Sequence, residues 1–115
     1  MDIRKLKEYN GELNPYTFFD KKGHIPGAVW MGDWDTLVDM NDDTFRSYTE
    51  VQKIWNDLKI TPDKEPVFYC GGGWRSSIGF FYAYLMGFNK IRNYDGGFYE
   101  WSWNPNNPIS MGMSR

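Results

Sequence analysis

The chain has 115 residues, which is enough for one compact domain and too short for two. Apolar residues make up 41% and charged residues 24% of the chain, a globular composition that excludes extended disorder. The formal net charge is -2 and no basic block is present, which argues against a nucleic-acid-binding surface. One cysteine and one histidine exclude an intrachain disulfide and a Cys/His zinc site.

Neither a signal peptide nor a membrane span is predicted. Residues 1–12 are charged and lack the apolar stretch of a signal peptide. The longest apolar run, residues 78–88, is interrupted by Gly79 and Gly87 and is too short to cross a bilayer. Together with the single cysteine, these features predict a soluble protein in the reducing cytoplasm.

Strand and helix patterns alternate along the chain, which is typical of an open α/β sheet. We predict a strand end or turn that leads into a short charged helix over 2–9, helices at 47–58, 76–86 and 98–102, strands at 28–30, 66–69 and 90–94, loops or turns at 11–22, 23–27, 70–75 and 95–97, an acidic solvated segment at 33–43, and an irregular tail after 103.

The best-defined element is the helix at 47–58. Ser47 and Glu50 form a capping box, in which each side chain satisfies an orphan backbone donor. The apolar residues at 51, 54, 55 and 58 then form one stripe. The helix at 76–86 is apolar nearly all round and is expected to be buried. The run at 66–69 lacks polar alternation, which suits a strand buried on both faces.

The segment after this strand carries the strongest chemical signal. Cys70 stands at the carboxyl end of a predicted strand, where ligands bind in open α/β sheets. Three glycines (71–73) let the backbone curl and aim N–H groups inward. Arg75 and the start of the next helix both favour a thiolate over a thiol. The pattern predicts a nucleophile in an anion-binding loop; the alternative is a buried, inert cysteine.

Short motifs follow one another along the chain. They are Asp-Ile-Arg at 2–4, Gly-His-Ile-Pro-Gly-Ala at 23–28, Cys-Gly-Gly-Gly-Trp-Arg at 70–75, and Asp-Gly-Gly at 95–97 with Trp101. In this combination and order, the chain resembles the rhodanese (sulfurtransferase) family, specifically its bacterial thiosulfate sulfurtransferase branch.

The resemblance implies one α/β domain over residues 1–115, an open parallel sheet flanked by helices on both faces. It implies that Cys70 takes a sulfane sulfur from thiosulfate and passes it, as a persulfide, to cyanide or a thiol. Neither a metal nor an organic cofactor is implied. The implied substrate-binding residues are Gly71, Gly72, Gly73, Trp74, Arg75 and Ser76. Asp2 and Arg4 would support the loop from behind, with an ordinary surface pair as the alternative.

The chain departs from the family pattern at three points. Gly71 stands where vertebrate rhodanese loops have a basic residue, as it does in mercaptopyruvate sulfurtransferases. The substrate-binding arginine of the vertebrate enzymes falls at Glu8. Only Met1 precedes the Asp-x-Arg motif, where the family has an apolar strand, so we expect a piece of a longer, tandem-domain protein or pairing with another chain. His24 belongs to a turn motif that is structural in the family.

Other functions remain open at this point. 3-Mercaptopyruvate is the alternative sulfur donor. A cysteine phosphatase or arsenate reductase is a further candidate, because one phosphatase class shares the fold. Its loop needs five residues between cysteine and arginine, whereas four separate Cys70 from Arg75, which favours the smaller sulfur atom. A non-catalytic rhodanese-like binding module usually lacks the cysteine.

Overall fold

The computed structural model describes residues 1–113 of the chain. The helices are α1 (Leu6–Tyr9), α2 (Trp34–Leu37), α3 (Tyr48–Asp57), α4 (Ser76–Leu85) and α5 (Gly97–Trp103). The strands are β1 (Val38–Asp39), β2 (Thr44–Phe45), β3 (Val67–Phe68) and β4 (Arg92–Asn93). The order of α3, β3, α4, β4 and α5 confirms the predicted alternation of helix and strand.

Parallel segments of the chain lie side by side at the centre of the fold. Strand β3 pairs in parallel with β4. Asp2 forms parallel bridges to Trp30 on one side and to Tyr69 on the other. The order across the sheet is therefore segment 28–31, segment 1–3, β3 and β4, which confirms the predicted open parallel sheet. The strand predicted at 28–30 is reduced to the single bridge at Trp30.

Side chains of this sheet alternate between its two faces. Ile3, Met31 and Phe68 belong to the hydrophobic core, which α4 covers and against which Trp55 of α3 packs. Arg4 lies on the opposite face, with its guanidinium carbon 4.4 Å from the ring centroid of Phe98 in α5. Helices therefore flank the sheet on both faces, as expected for this α/β class.

Helix α3 begins as the sequence predicts. The Ser47 hydroxyl accepts a hydrogen bond from the Glu50 N–H at 3.3 Å. The Glu50 carboxylate accepts from the Ser47 hydroxyl rather than from its backbone N–H, so the capping box is only half formed. Val51 and Trp55 are buried, which confirms the apolar stripe.

Two burial predictions are wrong in part. Helix α4 buries Ile78 and Tyr82, but Phe81 and Tyr84 are 55% and 66% exposed. A helix that packs on a sheet with one side leaves its other side exposed. Among the described residues, nothing covers this other side of α4, although it is apolar. Val67 is also exposed, because alternation along β3 directs only one of its two side chains into the core.

The acidic segment 33–43 contains structure that the sequence pattern does not predict. Asp33 caps α2 by accepting a hydrogen bond from the Thr36 N–H at 3.1 Å. Strands β1 and β2 then form an antiparallel pair. Leu37 and Val38 are buried, whereas Asp42 and the other carboxylates of the turn are solvated as predicted.

The segment after α5 is irregular apart from one bridge between Ser110 and His24, which agrees with the predicted tail. Ser114 and Arg115, which the same prediction covers, lie outside the described residues. Within residues 1–113, no helix is both long and apolar enough to cross a membrane.

Asp2 and Arg4 form a buried ion pair. Arg4 Nη2 lies 2.7 Å from Asp2 Oδ2, and both side chains are almost fully buried. The same nitrogen donates to the carbonyl oxygen of Gly23 at 2.6 Å. Burial alone would lower the pKa of Arg4, but the hydrogen bond and charge of Asp2 outweigh burial and raise it. The alternative of an ordinary surface pair is therefore wrong.

We expect Asp2→Asn to lower the free energy of unfolding by roughly 3–5 kcal/mol, because it leaves the Arg4 charge buried without a carboxylate. Urea denaturation measures this loss. The matched control is Glu65→Gln, which breaks the exposed Glu65–Lys90 pair (3.0 Å) and should cost less than about 1 kcal/mol. Equal losses in the two variants would contradict a structural role for the buried pair.

Candidate active site

Cys70 follows β3 at the carboxyl end of the sheet, and its side chain is buried. Its Sγ accepts a hydrogen bond from the Gly73 N–H, with a nitrogen-to-sulfur distance of 3.0 Å. Helix α4 begins at Ser76, directly after the loop, so its positive dipole end lies on the side of the loop. The structure therefore turns one of the loop N–H groups, that of Gly73, toward the sulfur.

The loop is held against the start of α5. The carbonyl oxygens of Cys70 and Gly71 accept hydrogen bonds from the N–H groups of Phe98 and Tyr99, at 2.8 and 3.1 Å. Gly97 permits this approach: it has φ +62°, and a Cβ there would lie 2.6 Å from the Cys70 carbonyl oxygen. The Asp-Gly-Gly motif at 95–97 is thus the surface on which the loop rests.

Gly73 occupies a conformation that favours glycine. Its φ is +96°, in the left-handed region, and a Cβ would overlap the carbonyl oxygen of Asp95. A Cβ at Gly71 would collide with the hydroxyl of Tyr16, whereas a Cβ at Gly72 would meet nothing within 4 Å. Gly73 is therefore required by its φ and its backbone neighbour, whereas a side chain at Gly71 would displace Tyr16.

Arg75 turns toward Glu8 and Tyr16. Its two terminal nitrogens lie 3.4 and 3.5 Å from the two carboxylate oxygens of Glu8, and Nη2 also donates to the Tyr16 hydroxyl. Burial alone would lower the pKa of Arg75, but Tyr16, Glu8 and Cys70 outweigh it and raise the pKa. Burial raises the pKa of Tyr16 above its ordinary value, so this hydroxyl stays protonated at neutral pH.

The remaining predicted loop residues differ in exposure. Trp74 is 89% exposed and lines a groove of about 410 Å³ together with Trp34, Phe45 and Phe81. Ser76 is buried, and its hydroxyl donates to the Gly73 carbonyl oxygen at 3.1 Å. Trp74 thus faces the solvent beside the loop, and the Ser76 hydroxyl stabilises the loop from within.

Asp2 and Arg4 reach the loop through α5. The Arg4 guanidinium lies over the ring of Phe98, and the Phe98 N–H donates to the Cys70 carbonyl oxygen. The indole nitrogen of Trp30 donates to the Arg4 carbonyl oxygen at 2.7 Å. Phe98 therefore connects the ion pair to the backbone of Cys70.

His24 is fully buried and belongs to the turn at 23–27. Its Nδ1 lies 2.7 Å from the Tyr9 carbonyl oxygen, and its ring stacks on the Tyr9 ring at 3.9 Å between centroids. Its backbone bridges Ser110. These contacts agree with the structural role expected for this motif.

No sequence pattern predicts that two residues of the site, Glu8 and Tyr16, contact Arg75. Glu8 stands out there only as a departure from the family pattern, and Tyr16 lies in a loop without periodicity. The structure brings both to Arg75, and Tyr16 also to Gly71. Only a three-dimensional arrangement brings these distant segments together.

Comparisons with known proteins agree with this architecture. The family model "Rhodanese-like domain" matches residues 1–103. The chain is 38% identical over 117 residues to "Thiosulfate sulfurtransferase YnjE" of Escherichia coli, which covers 97% of this chain and 27% of that protein. It is 37% identical over 118 residues to "Sulfur carrier protein TtuD" of Thermus thermophilus, covering 97% of this chain and 41% of that protein.

Solved structures show the same fold. The crystal structure of YnjE superposes with a TM-score of 0.90 at 36% identity, covering 98% of this chain and 28% of that one. An anaerobic ergothioneine biosynthesis enzyme from Chlorobium limicola, in complex with trimethyl histidine, gives 0.89 at 38% identity, covering 98% and 28%.

The chain thus spans about a quarter to two fifths of the length of these relatives. The family match covers every motif of the sequence, from the Asp-x-Arg at 2–4 to Trp101, and includes the Cys70 loop. The resemblance predicted from these motifs is confirmed, and the chain belongs to the rhodanese-like family.

Proposed function

We propose that this chain is a sulfurtransferase that moves a sulfane sulfur from thiosulfate to a thiophilic acceptor through a persulfide on Cys70. The observation that carries the proposal is the hydrogen bond from the Gly73 N–H to the sulfur of the single cysteine. Relatives that are named thiosulfate sulfurtransferases, at 38% identity in Escherichia coli and Corynebacterium glutamicum, support this choice of reaction.

In the first half-reaction, the Cys70 thiolate attacks the outer sulfur of thiosulfate. A sulfur–sulfur bond forms to Cys70, the bond between the two sulfurs of the donor breaks, and its electron pair leaves with sulfite. The product is a persulfide anion on Cys70, so charge is conserved. The hydrogen bond from the Gly73 N–H to the Cys70 sulfur would stabilise this anion.

In the second half-reaction, the acceptor attacks the outer sulfur of the persulfide. The Cys70 thiolate leaves, and cyanide becomes thiocyanate or a thiolate becomes a persulfide. Arg75 has its guanidinium beside the loop, where it can bind the sulfonate oxygens of the donor. A cytoplasmic location and pairing with a second rhodanese-like domain or second copy remain part of this proposal.

Cys70→Ser should abolish sulfur loading while leaving the fold intact, because exchanging sulfur for oxygen is nearly isosteric. Intact mass after incubation with thiosulfate should show one added sulfur atom on the wild type and none on the variant. Cyanide should then remove that sulfur. Sulfur on both proteins would contradict the role of Cys70.

If thiosulfate loads neither protein, the same measurement with 3-mercaptopyruvate tests the alternative donor. Phosphatase activity that Cys70→Ser removes would replace the proposal with the phosphatase hypothesis. Biological activity retained by Cys70→Ala would instead favour a binding module.

Arg75→Ala should raise the KM for thiosulfate by about tenfold and leave kcat within about threefold, because a charged hydrogen bond to the donor is lost. Steady-state kinetics with cyanide as acceptor separate the two constants. Arg92→Ala, which removes an exposed arginine at the start of β4, is the matched control. An unchanged KM in Arg75→Ala would reduce Arg75 to a structural role.

Gly73→Ala should lower the free energy of unfolding by about 1–3 kcal/mol and slow persulfide formation, since a Cβ at φ +96° overlaps the Asp95 carbonyl. Denaturation and the mass assay measure the two effects. Gly72→Ala, in the same loop, meets no neighbour and should stay within about 0.5 kcal/mol of the wild type. Equal losses in the two variants would contradict this account of the loop.

A further inference from the structure

The charges around the Cys70 loop are mostly negative. Among the described residues, Arg75 is a cation beside the loop, and Glu8 lies against it. On another side of the loop, Asp95 and Glu100 line a hollow that also includes Gly72. Arg4, a second nearby cation within residues 1–113, is paired with Asp2 and donates to the Gly23 carbonyl oxygen. An approaching anion therefore meets carboxylates as well as the guanidinium.

Of these carboxylates, Glu8 has the strongest effect on the charge of Arg75. It is only 2% exposed, whereas Arg75 is 30% exposed, so solvent screens the interaction poorly on the Glu8 side. Each carboxylate oxygen faces one guanidinium nitrogen, at 3.4 and 3.5 Å. In this two-point arrangement, the negative charge of Glu8 offsets the positive charge of Arg75.

We infer that Glu8 is a specificity-determining residue that holds down the affinity of the site for dianionic donors and favours sulfur donors and acceptors of low charge. The inference rests on the proposed function, because it concerns the molecules that reach Cys70. Thiosulfate remains a donor, but its two negative charges compete with Glu8 for Arg75. An organic persulfide or thiol without strong negative charge avoids this competition.

The surroundings of Arg75 suit such a molecule. The groove beside the loop is lined by Trp34, Phe45, Trp74 and Phe81, which are all more than two fifths exposed. Among the described residues that line this groove, Arg75 alone is charged. An apolar organic body can bury surface against these rings while its sulfur faces the loop.

The test compares alkylation of Cys70 by iodoacetate, an anion, and by iodoacetamide, its neutral analogue. Because Cys70 is the single cysteine, both rates report on one sulfur. Glu8→Gln should raise the iodoacetate-to-iodoacetamide rate ratio by roughly three- to tenfold, because one nearby negative charge is removed. A change of less than about threefold would overturn the inference.

Glu65→Gln is the matched control, because it makes the same chemical change in the exposed pair with Lys90, before β3 begins. Its ratio should equal that of the wild type. An equal rise in Glu65→Gln and Glu8→Gln would trace the effect to net charge alone and overturn the inference.

If Glu8→Gln does not fold, the inference is tested by comparing Arg75→Gln with the double variant Glu8→Gln/Arg75→Gln. The double variant leaves no buried charge unpaired, so it is expected to fold. Arg75→Gln should lower the rate ratio, and the double variant should return it to within about twofold of the wild type. The same low ratio in both variants would overturn the inference.

Kinetics separate this inference from the proposed function. In Glu8→Gln, the KM for thiosulfate should fall by roughly threefold or more, with kcat nearly unchanged. If thiosulfate adds no sulfur to the wild type, the proposed function fails, while the alkylation ratio still reports on the charge at Cys70. If sulfur transfer proceeds and Glu8→Gln changes neither ratio nor KM, only the specificity inference fails.

Discussion

The buried ion pair between Asp2 and Arg4 is the interaction on which the rest of the architecture depends. Asp2 lies in the middle of the parallel sheet, with its backbone bridged to segments on both sides. Because a buried charge must be paired, the Arg4 side chain is fixed, and it binds the Gly23 carbonyl and covers the Phe98 ring. Phe98 in turn holds the Cys70 carbonyl, so the position of the cysteine follows from the ion pair.

Two sets of hydrogen bonds shape the loop between β3 and α4. In one set the loop carbonyl groups accept, and in the other a loop N–H donates. Carbonyl groups at its start are bound by N–H groups of α5, which leaves the N–H of Gly73 free to turn toward the sulfur. The Ser76 hydroxyl binds the Gly73 carbonyl and fixes that orientation. The N–H groups of α5 hold the backbone in place, and the Gly73 N–H donates to the Cys70 sulfur.

Local patterns in the sequence predict much of the fold and the centre of the site. The cap and stripe of α3, the alternation of helix and strand, and the glycine loop depend on residues that are neighbours in sequence, so their patterns are readable. Glu8 and Tyr16 reach Arg75 from segments that are distant in sequence, and no periodicity marks them. Strands β1 and β2 have two residues each, too few to show alternation. The exposed side of α4 is apolar, so hydropathy alone cannot separate it from the buried side.

The pairing of Glu8 with Arg75 has a consequence for any anion that enters the loop. Glu8 is buried, and its carboxylate also accepts a hydrogen bond from the Lys5 N–H at 3.2 Å, so it cannot turn out into solvent without breaking the start of α1. An anion that draws Arg75 away therefore leaves a buried carboxylate without its cation, which is unfavourable. This penalty is absent for an uncharged sulfur compound, because such a compound leaves the ion pair intact. The same contact thus holds α1 against the loop and, in the proposed sulfurtransferase, would discriminate between substrates by charge.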